Sequence, residues 1–407
     1  MAKSRSFRLT MFGLLYFVQG AALAYFRNFQ KPYLSGLGID ADVIGLLTSI
    51  LLLPFILKIF IGMLSDRVNL LGMGHRKPYI IWGVLLAAVA FGSAGFVLPD
   101  RNFTLFAVFI VLGSFSVALF DSTTDGLAID TTPEQEQGTV QGTMVGGRAA
   151  GFIILSLLFG ALVQGQGFRI VFVIIAVSML LPLIWVMRVK EPPVRDESQQ
   201  FHWAAFRSMT RAPFLIFGAY AIFYSIASFG VDGLVTLFMS SQFGAAESAI
   251  GEYGALRGVG AVIGAVAGGM LVDRLGRRQS AFGALLLISV GATLIGLADS
   301  INAILAMGVF WGVVWGFQET IFVALAMALA DTRIAASMFA LLMALSNVGT
   351  AVGEGLATGL TDNISFAAIF FLLAGLNIIN VPILWGLFRI APNVSQIPET
   401  AVLPVVE

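Results

Sequence analysis

The 407-residue sequence has no cysteine and only two histidines. Without thiols there are no disulfide scaffolds, zinc ribbons, iron–sulfur sites or thiol catalysis. Two imidazoles are too few for a usual zinc site. Charge is scarce as well, at 11% Asp, Glu, Lys and Arg, against about 25% in soluble domains. The 23 basic residues are balanced by 23 acidic ones, so no basic patch dominates and nucleic acid is not an expected partner. The H-E-x-x-H and G-x-S-x-G patterns of metalloproteases and serine hydrolases are missing, as is a Gly-rich Walker loop. These gaps argue against an intramembrane enzyme and against ATP-driven work by this chain. No metal and no cofactor is expected.

What the chain has is apolar length. Hydrophobic residues make up 58%, with 35 Phe and 45 Gly, and mean hydropathy is +0.92. A membrane-crossing helix needs roughly 20 mostly apolar residues. Twelve runs qualify: 9–26, 43–64, 79–98, 103–128, 140–163, 170–187, 214–239, 250–272, 281–298, 304–329, 335–360 and 366–388. Barrel strands would show about ten-residue alternating segments instead. The expected class is an all-α polytopic membrane protein with the lipid bilayer as its solvent. Ala22-Leu23-Ala24 mimics a leader cleavage site, but removing the first run would leave eleven spans and break the pairing of halves described next.

Loop charge sets the expected orientation. With the N-terminus inside, sixteen Lys and Arg fall on the cytoplasmic side, and only Arg27, Lys31, Arg101 and Arg169 fall outside. Both termini are therefore expected in the cytoplasm. The chain also repeats itself. Gly62-Met63-Leu64-Ser65-Asp66-Arg67 and Gly74-His75-Arg76-Lys77 follow the second run; Gly269-Met270-Leu271-Val272-Asp273-Arg274-Leu275-Gly276-Arg277-Arg278 follow the eighth. Asp66 and Asp273 stand 207 residues apart, and Asp130-Thr131 is echoed by Asp331-Thr332. The expected division is a six-helix half over 1–187, a cytoplasmic linker over 188–212, and a second half with its tail over 213–407.

The repeated G-x-L-x-D-R-x-G-R-R loop resembles the signature of the major facilitator superfamily. An acid at a helix end facing Arg and Lys in a tight Gly turn makes a charge-assisted pair able to hold one conformation shut. Asp66, Arg67, Arg76, Lys77, Asp273, Arg274, Arg277 and Arg278 are thus gating candidates, with plain positive-inside anchors as the alternative. Residues 120–130 (FDSTTDGLAID), 144–151 (MVGGRAAG) and 338–347 (MFALLMALSN) resemble the muropeptide-permease (AmpG-like) and acetyl-CoA-transporter branch. Residues 53–58 (LPFILK) and 16–20 (YFVQG) fit it too and are also similar to folate–biopterin transporters. The resemblance implies import of an amphiphilic solute such as a muropeptide, siderophore or pterin-like compound. It also implies a bacterial cytoplasmic membrane and a monomer.

Charges inside the apolar runs cost at least roughly 2.5–3.5 kcal/mol each on insertion scales and need a partner or a water-lined cavity. Asp121 lies about 10 Å, Arg148 about 12 Å and Lys58 about 9 Å from the cytoplasmic ends of their helices. Asp121 and Asp125 share a face, and two close carboxylates resist simultaneous ionisation. Asp121, Asp125, Arg148 and the near-central Glu319 are the proton-coupling candidates; the cluster of Asp121, Asp125, Arg148 and Lys58 could equally bind an anionic group on the solute. Gln19, Lys58, Arg257 and Glu354 are the substrate-binding candidates. Arg257 and Glu354 lie at similar depth, so an ion pair between them is open. Asp232, Glu252 and Arg27 are expected toward water at the outer surface. The GxxxG spacings at 147–151, 260–268 and 349–353 point to close helix packing. A short amphipathic helix is expected around Trp203 and His202 in the linker.

The favoured function is a secondary transporter whose halves rock around a central site, with protons and a small solute as partners. Open alternatives are an antiporter, exporter or facilitator of the same fold, or a non-transporting membrane assembly factor. A scaffold needs no acidic residue facing a central cavity, whereas proton coupling requires one.

Overall fold

The computed structural model describes residues 4–189, 191, 209–329 and 335–394. Twelve of its helices are long and apolar enough to cross a membrane, as the sequence leads one to expect, and the chain is an integral multi-pass membrane protein. In chain order they are α1 Arg5–Gly36, α2 Ala41–Ser65, α3 Lys77–Ala94, α4 Phe103–Thr131, α5 Glu136–Gln166, α6 Arg169–Val186, α7 Ala212–Phe243, α8 Glu247–Leu275, α9 Arg277–Gly296, α10 Ile301–Leu329, α11 Met338–Asp362 and α12 Phe366–Ile390. With an even number of spans, both ends of the bundle lie on one face, here called the terminal face; the other is the far face. Large apolar side chains such as Leu46, Val89, Phe96, Ile154, Val266 and Leu286 are left exposed, as a surface bathed in lipid tails requires.

Breaks in the helices have local causes. α2 is interrupted at Leu57, just after Pro54, whose ring removes one backbone donor and crowds the preceding turn. α6 breaks at Pro182. α1 carries a π-helical turn at Tyr25–Phe29, a wider turn often found at functional positions. It runs ten residues beyond the apolar stretch ending at 26, since Gln30, Lys31 and Asn28 are buried inside the bundle.

Glycine sets how closely the helices pack. A methyl at Gly147 or Gly151 of α5 would overlap the Gly13 and Phe17 carbonyls of α1; one at Gly349 or Gly353 of α11 would overlap Ile222 and Ile226 of α7. Gly260 and Gly264 of α8 meet the Val309 and Val313 carbonyls of α10, while Gly312 and Gly316 meet those of Arg257 and Ala261. The pairings α1·α5, α2·α4, α3·α4 and α3·α6 recur as α7·α11, α8·α10, α9·α10 and α9·α12.

The first six helices meet the last six through α2·α11 and α5·α8. Gly45 abuts Gly355, Gly160 abuts Gly251, and the Ala41 amide donates to Asp362 at 3.1 Å. Ser49 donates to the Ala351 carbonyl at 2.8 Å, Gln164 to Ser248 at 3.1 Å and Asn347 to the Phe55 carbonyl at 3.3 Å. Chain direction places these contacts between mid-bundle and the far face. The Arg27 and Lys31 contacts with Glu354 lie at that end too.

Candidate functional site

Three clusters of charge are embedded in the bundle. The first belongs to the first six helices. Gln19 of α1 donates to Asp121 of α4 at 2.9 Å, and Lys58 of α2 reaches Asp121 at 3.3 Å and Asp125 at 3.8 Å. Tyr16 donates its hydroxyl to Asp125, and the Arg148 guanidinium of α5 lies 5.8 Å from the Tyr16 ring centre. One ammonium thus serves two carboxylates. Asp121 is buried, with a side chain 7% exposed, whereas Asp125 keeps 38%, so the pair runs from the packed interior toward the terminal face. Arg148, an expected member, stands beside this cluster with no carboxylate within ion-pair distance among the described residues.

The second cluster belongs to the last six helices. Asp232 of α7 accepts two bonds from Arg257 of α8, at 2.8 and 2.7 Å, and one from Trp311 of α10 at 2.9 Å. Arg257 also lies 4.0 Å from the Trp315 ring centre and 5.8 Å from that of Phe152 on α5. Sequence depth left an Arg257–Glu354 pair open and sent Asp232 to water. The structure buries Asp232 and gives it Arg257, because two planar donors of one guanidinium match its carboxylate. Glu252 is exposed. One turn from Trp315, Glu319 accepts from the Tyr224 hydroxyl at 3.0 Å, and Tyr224 touches Ser346 at 3.3 Å.

The third cluster ties the two sets together. Glu354 of α11 accepts from Arg27 and, at 2.8 Å, from Lys31, both on α1. Lys31 also donates to the Gly233 carbonyl of α7 at 2.7 Å and is 1% exposed. Arg27 lies 5.0 Å from the Phe229 ring centre. These two cations were counted among loop charges in the sequence. Their spacing of four, with Asn28 and Gln30 between them, is the signal that places them on a helix face.

At the terminal face, Arg76 pairs with Asp130 at 3.3 Å and donates to Ser65. Lys77 donates to the Met187 and Val189 carbonyls at 2.8 and 3.0 Å. Glu191, which nothing in the sequence singled out, accepts from the backbone amides of His75 at 2.7 Å, Arg76 at 3.0 Å and Lys77. It fills the open amides at the start of α3 and meets the helix dipole there. Arg67, Asp273, Arg274 and Arg278 are exposed, and Arg277 is half-buried. The side chain of Asp66, the Asp331-Thr332 echo and the Trp203 segment lie outside the described residues.

Comparison with known proteins agrees with this architecture. The model of the BT1 family matches residues 19–219, and that of the Major Facilitator Superfamily matches residues 221–404. The anhydromuropeptide permease of Escherichia coli (strain K12) is 25% identical over 351 residues, covering 83% of this chain and 70% of the permease. The folate-biopterin transporter of Synechocystis sp. is 25% identical over 270 residues, covering 61% of this chain and 51% of that protein. Among solved structures, a bacterial homolog of the human lysosomal transporter Spinster, captured inward-facing and unoccupied, superposes with a TM-score of 0.78 at 18% identity. The match covers 97% of this chain and all of that one.

Proposed function

We propose that this chain, a membrane protein with the major facilitator superfamily fold, is a secondary transporter that works by alternating access and couples import of a small amphiphilic solute to protons. The observation that carries the reading is the Lys58–Asp121–Asp125 triad, in which one ammonium faces two carboxylates at 3.3 and 3.8 Å. Fully ionised, the triad holds an excess negative charge in a low-dielectric setting; one proton removes it. Gln19 and Tyr16 bind the two carboxylates from α1, so a change in proton occupancy alters the packing of α1 against α4. Those two helices belong to the half that must rock.

The terminal face is then the cytoplasmic one, as the loop charge indicates, and the contacts gathered toward the far face describe a state closed to the outside. Arg27, Lys31 and Glu354 form the outer closure, while the Arg76–Asp130 pair stays within the first six helices. The two six-helix units work within one chain as a monomer in a bacterial cytoplasmic membrane. The relatives named muropeptide and folate-biopterin carriers support an amphiphilic solute.

The test is proton movement in proteoliposomes when muropeptide, siderophore, folate, sugar or drug is added, with wild type and Asp121→Asn side by side. Solute-dependent alkalinisation outside, lost in the variant, is the expected result. Acidification would reverse the direction to antiport, and a solute that equilibrates without protons would make the chain a facilitator.

A further inference from the structure

We propose that the transported solute is a zwitterion whose carboxylate is held by Arg148 and whose ammonium is held by Glu319. This rests on the transport reading and names its substrate class.

Most charges inside the bundle are matched in ion pairs. Asp232 is matched to Arg257, Glu354 to Arg27 and Lys31, and Asp121 and Asp125 to Lys58. Apart from Glu252 near the far face, Arg148 and Glu319 are the charges within the twelve apolar runs that make no ion pair among the described residues. Arg148 rests on the Tyr16 ring, and Glu319 accepts from the Tyr224 hydroxyl. One is a cation on α5, in the first six helices; the other is an acid on α10, in the last six.

Their level in the bundle follows from chain direction. Phe152 and Trp315 both lie against Arg257, at 5.8 and 4.0 Å from guanidinium to ring centre, and so form one layer that bridges the halves. α5 runs toward the far face, so Arg148 is one turn nearer the terminal face than Phe152. α10 runs the other way, so Glu319 is likewise one turn nearer the terminal face than Trp315. Both charges lie about 6 Å nearer the terminal face than this layer, on opposite halves. The same layer offers two buried polar atoms without a hydrogen-bond partner, the Trp315 indole N–H and the Gln19 carbonyl oxygen.

Water can solvate Arg148 and Glu319 while this face is open. Once the triad has taken its proton, closing this face removes that water and leaves both charges without a counter-charge in a low-dielectric site. A solute with a single charge relieves only one of them. A zwitterion relieves both, and so binds the closed-over state better than the open one, which is what a ligand must do to drive a conformational change.

The test uses the full chain purified in detergent and alanine peptides of one to four residues, each in free, N-acetylated and C-amidated form, read by calorimetric titration. At one length the free peptide binds, and blocking either end weakens it at least about tenfold, the range for a desolvated charge left unpaired. Arg148→Gln then no longer tells acid from amide but still prefers the free amine; Glu319→Gln shows the reverse. The wild-type comparison needs no variant, so a poorly folded mutant does not decide the matter. No binding at any length, or equal binding of free and blocked forms, would overturn the zwitterion assignment. Proton flux with another solute in that case would leave the transport reading standing, whereas selective peptide binding with no flux of any kind would remove the transport reading alone.

Discussion

Glu354 takes part in two ion pairs at once, and its removal leaves Arg27 and Lys31 facing each other inside the bundle. Breaking a buried pair by deleting one partner costs about 3–5 kcal/mol. Glu354→Gln should therefore destabilise the state closed at the far face. The absence of native cysteine allows a clean readout. In a chain carrying Q164C and S248C, which replace a pair in contact at that end, oxidative cross-linking is expected to fall sharply when Glu354→Gln is added. Unchanged cross-linking would show that the glycine contacts alone hold this end. A second prediction separates the two carboxylates of the triad. Asp121→Asn keeps an acceptor oxygen for Gln19 but removes the buried charge that faces Lys58 and the site for a proton, and should abolish solute-driven proton flux and lower thermal stability. Asp125→Asn, at a side chain 38% exposed, should impair flux with a smaller stability loss. Equal losses in both variants would place the proton on neither carboxylate in particular. At this scale the sequence announces which charges are costly, because a Lys or Asp within an apolar run is visible by itself. It does not announce partners. Asp232 and Arg257 are 25 residues apart on different helices, and only the packing of α7 on α8 brings them within 2.7 Å.

Among helices, small residues decide the spacing. A methyl at Gly264 would overlap the Val313 carbonyl, whereas Gly269 on the same helix has nothing within 4 Å. Gly264→Ala should lower stability by about 1–3 kcal/mol, the cost of overpacking a tight contact, and Gly269→Ala should leave the melting temperature unchanged. Detergent-phase thermal unfolding of the two variants checks this, and a neutral Gly264→Ala would show that α8 and α10 slide apart freely. Here the sequence is generous. Apolar length gives all twelve helices, since each must satisfy its own backbone in lipid, and the GxxxG spacings mark α5, α8 and α11 as close-packing. The ends are harder to read. Hydropathy stops α1 at 26, yet Lys31 and Gln30 are buried by α7 and α2, and tertiary burial of polar groups leaves no trace in a local average.

Across the whole molecule, twelve membrane-spanning helices were legible from apolar length, and the pairings among the first six recur among the last six. The state of the bundle was not legible, because which face is shut depends on contacts between helices far apart in sequence, such as α2 with α11. If rocking of the two units is the working motion, joining Q164C to S248C by a disulfide should stop uptake in proteoliposomes, and reduction should restore it. Uptake that persists in the joined form would place the moving element elsewhere. The anchoring of Glu191 on the backbone of His75, Arg76 and Lys77 bears on how the units are tethered. It fixes one end of the leash between them to the first unit, and Met209, buried beside α7, marks where the second unit takes hold. Each unit is thus anchored on its own side of the eighteen peptide steps from 191 to 209, and the contacts of α2 with α11 and of α5 with α8 hold the units together apart from them. Two fragments severed within the leash should still find each other in the bilayer and transport as one.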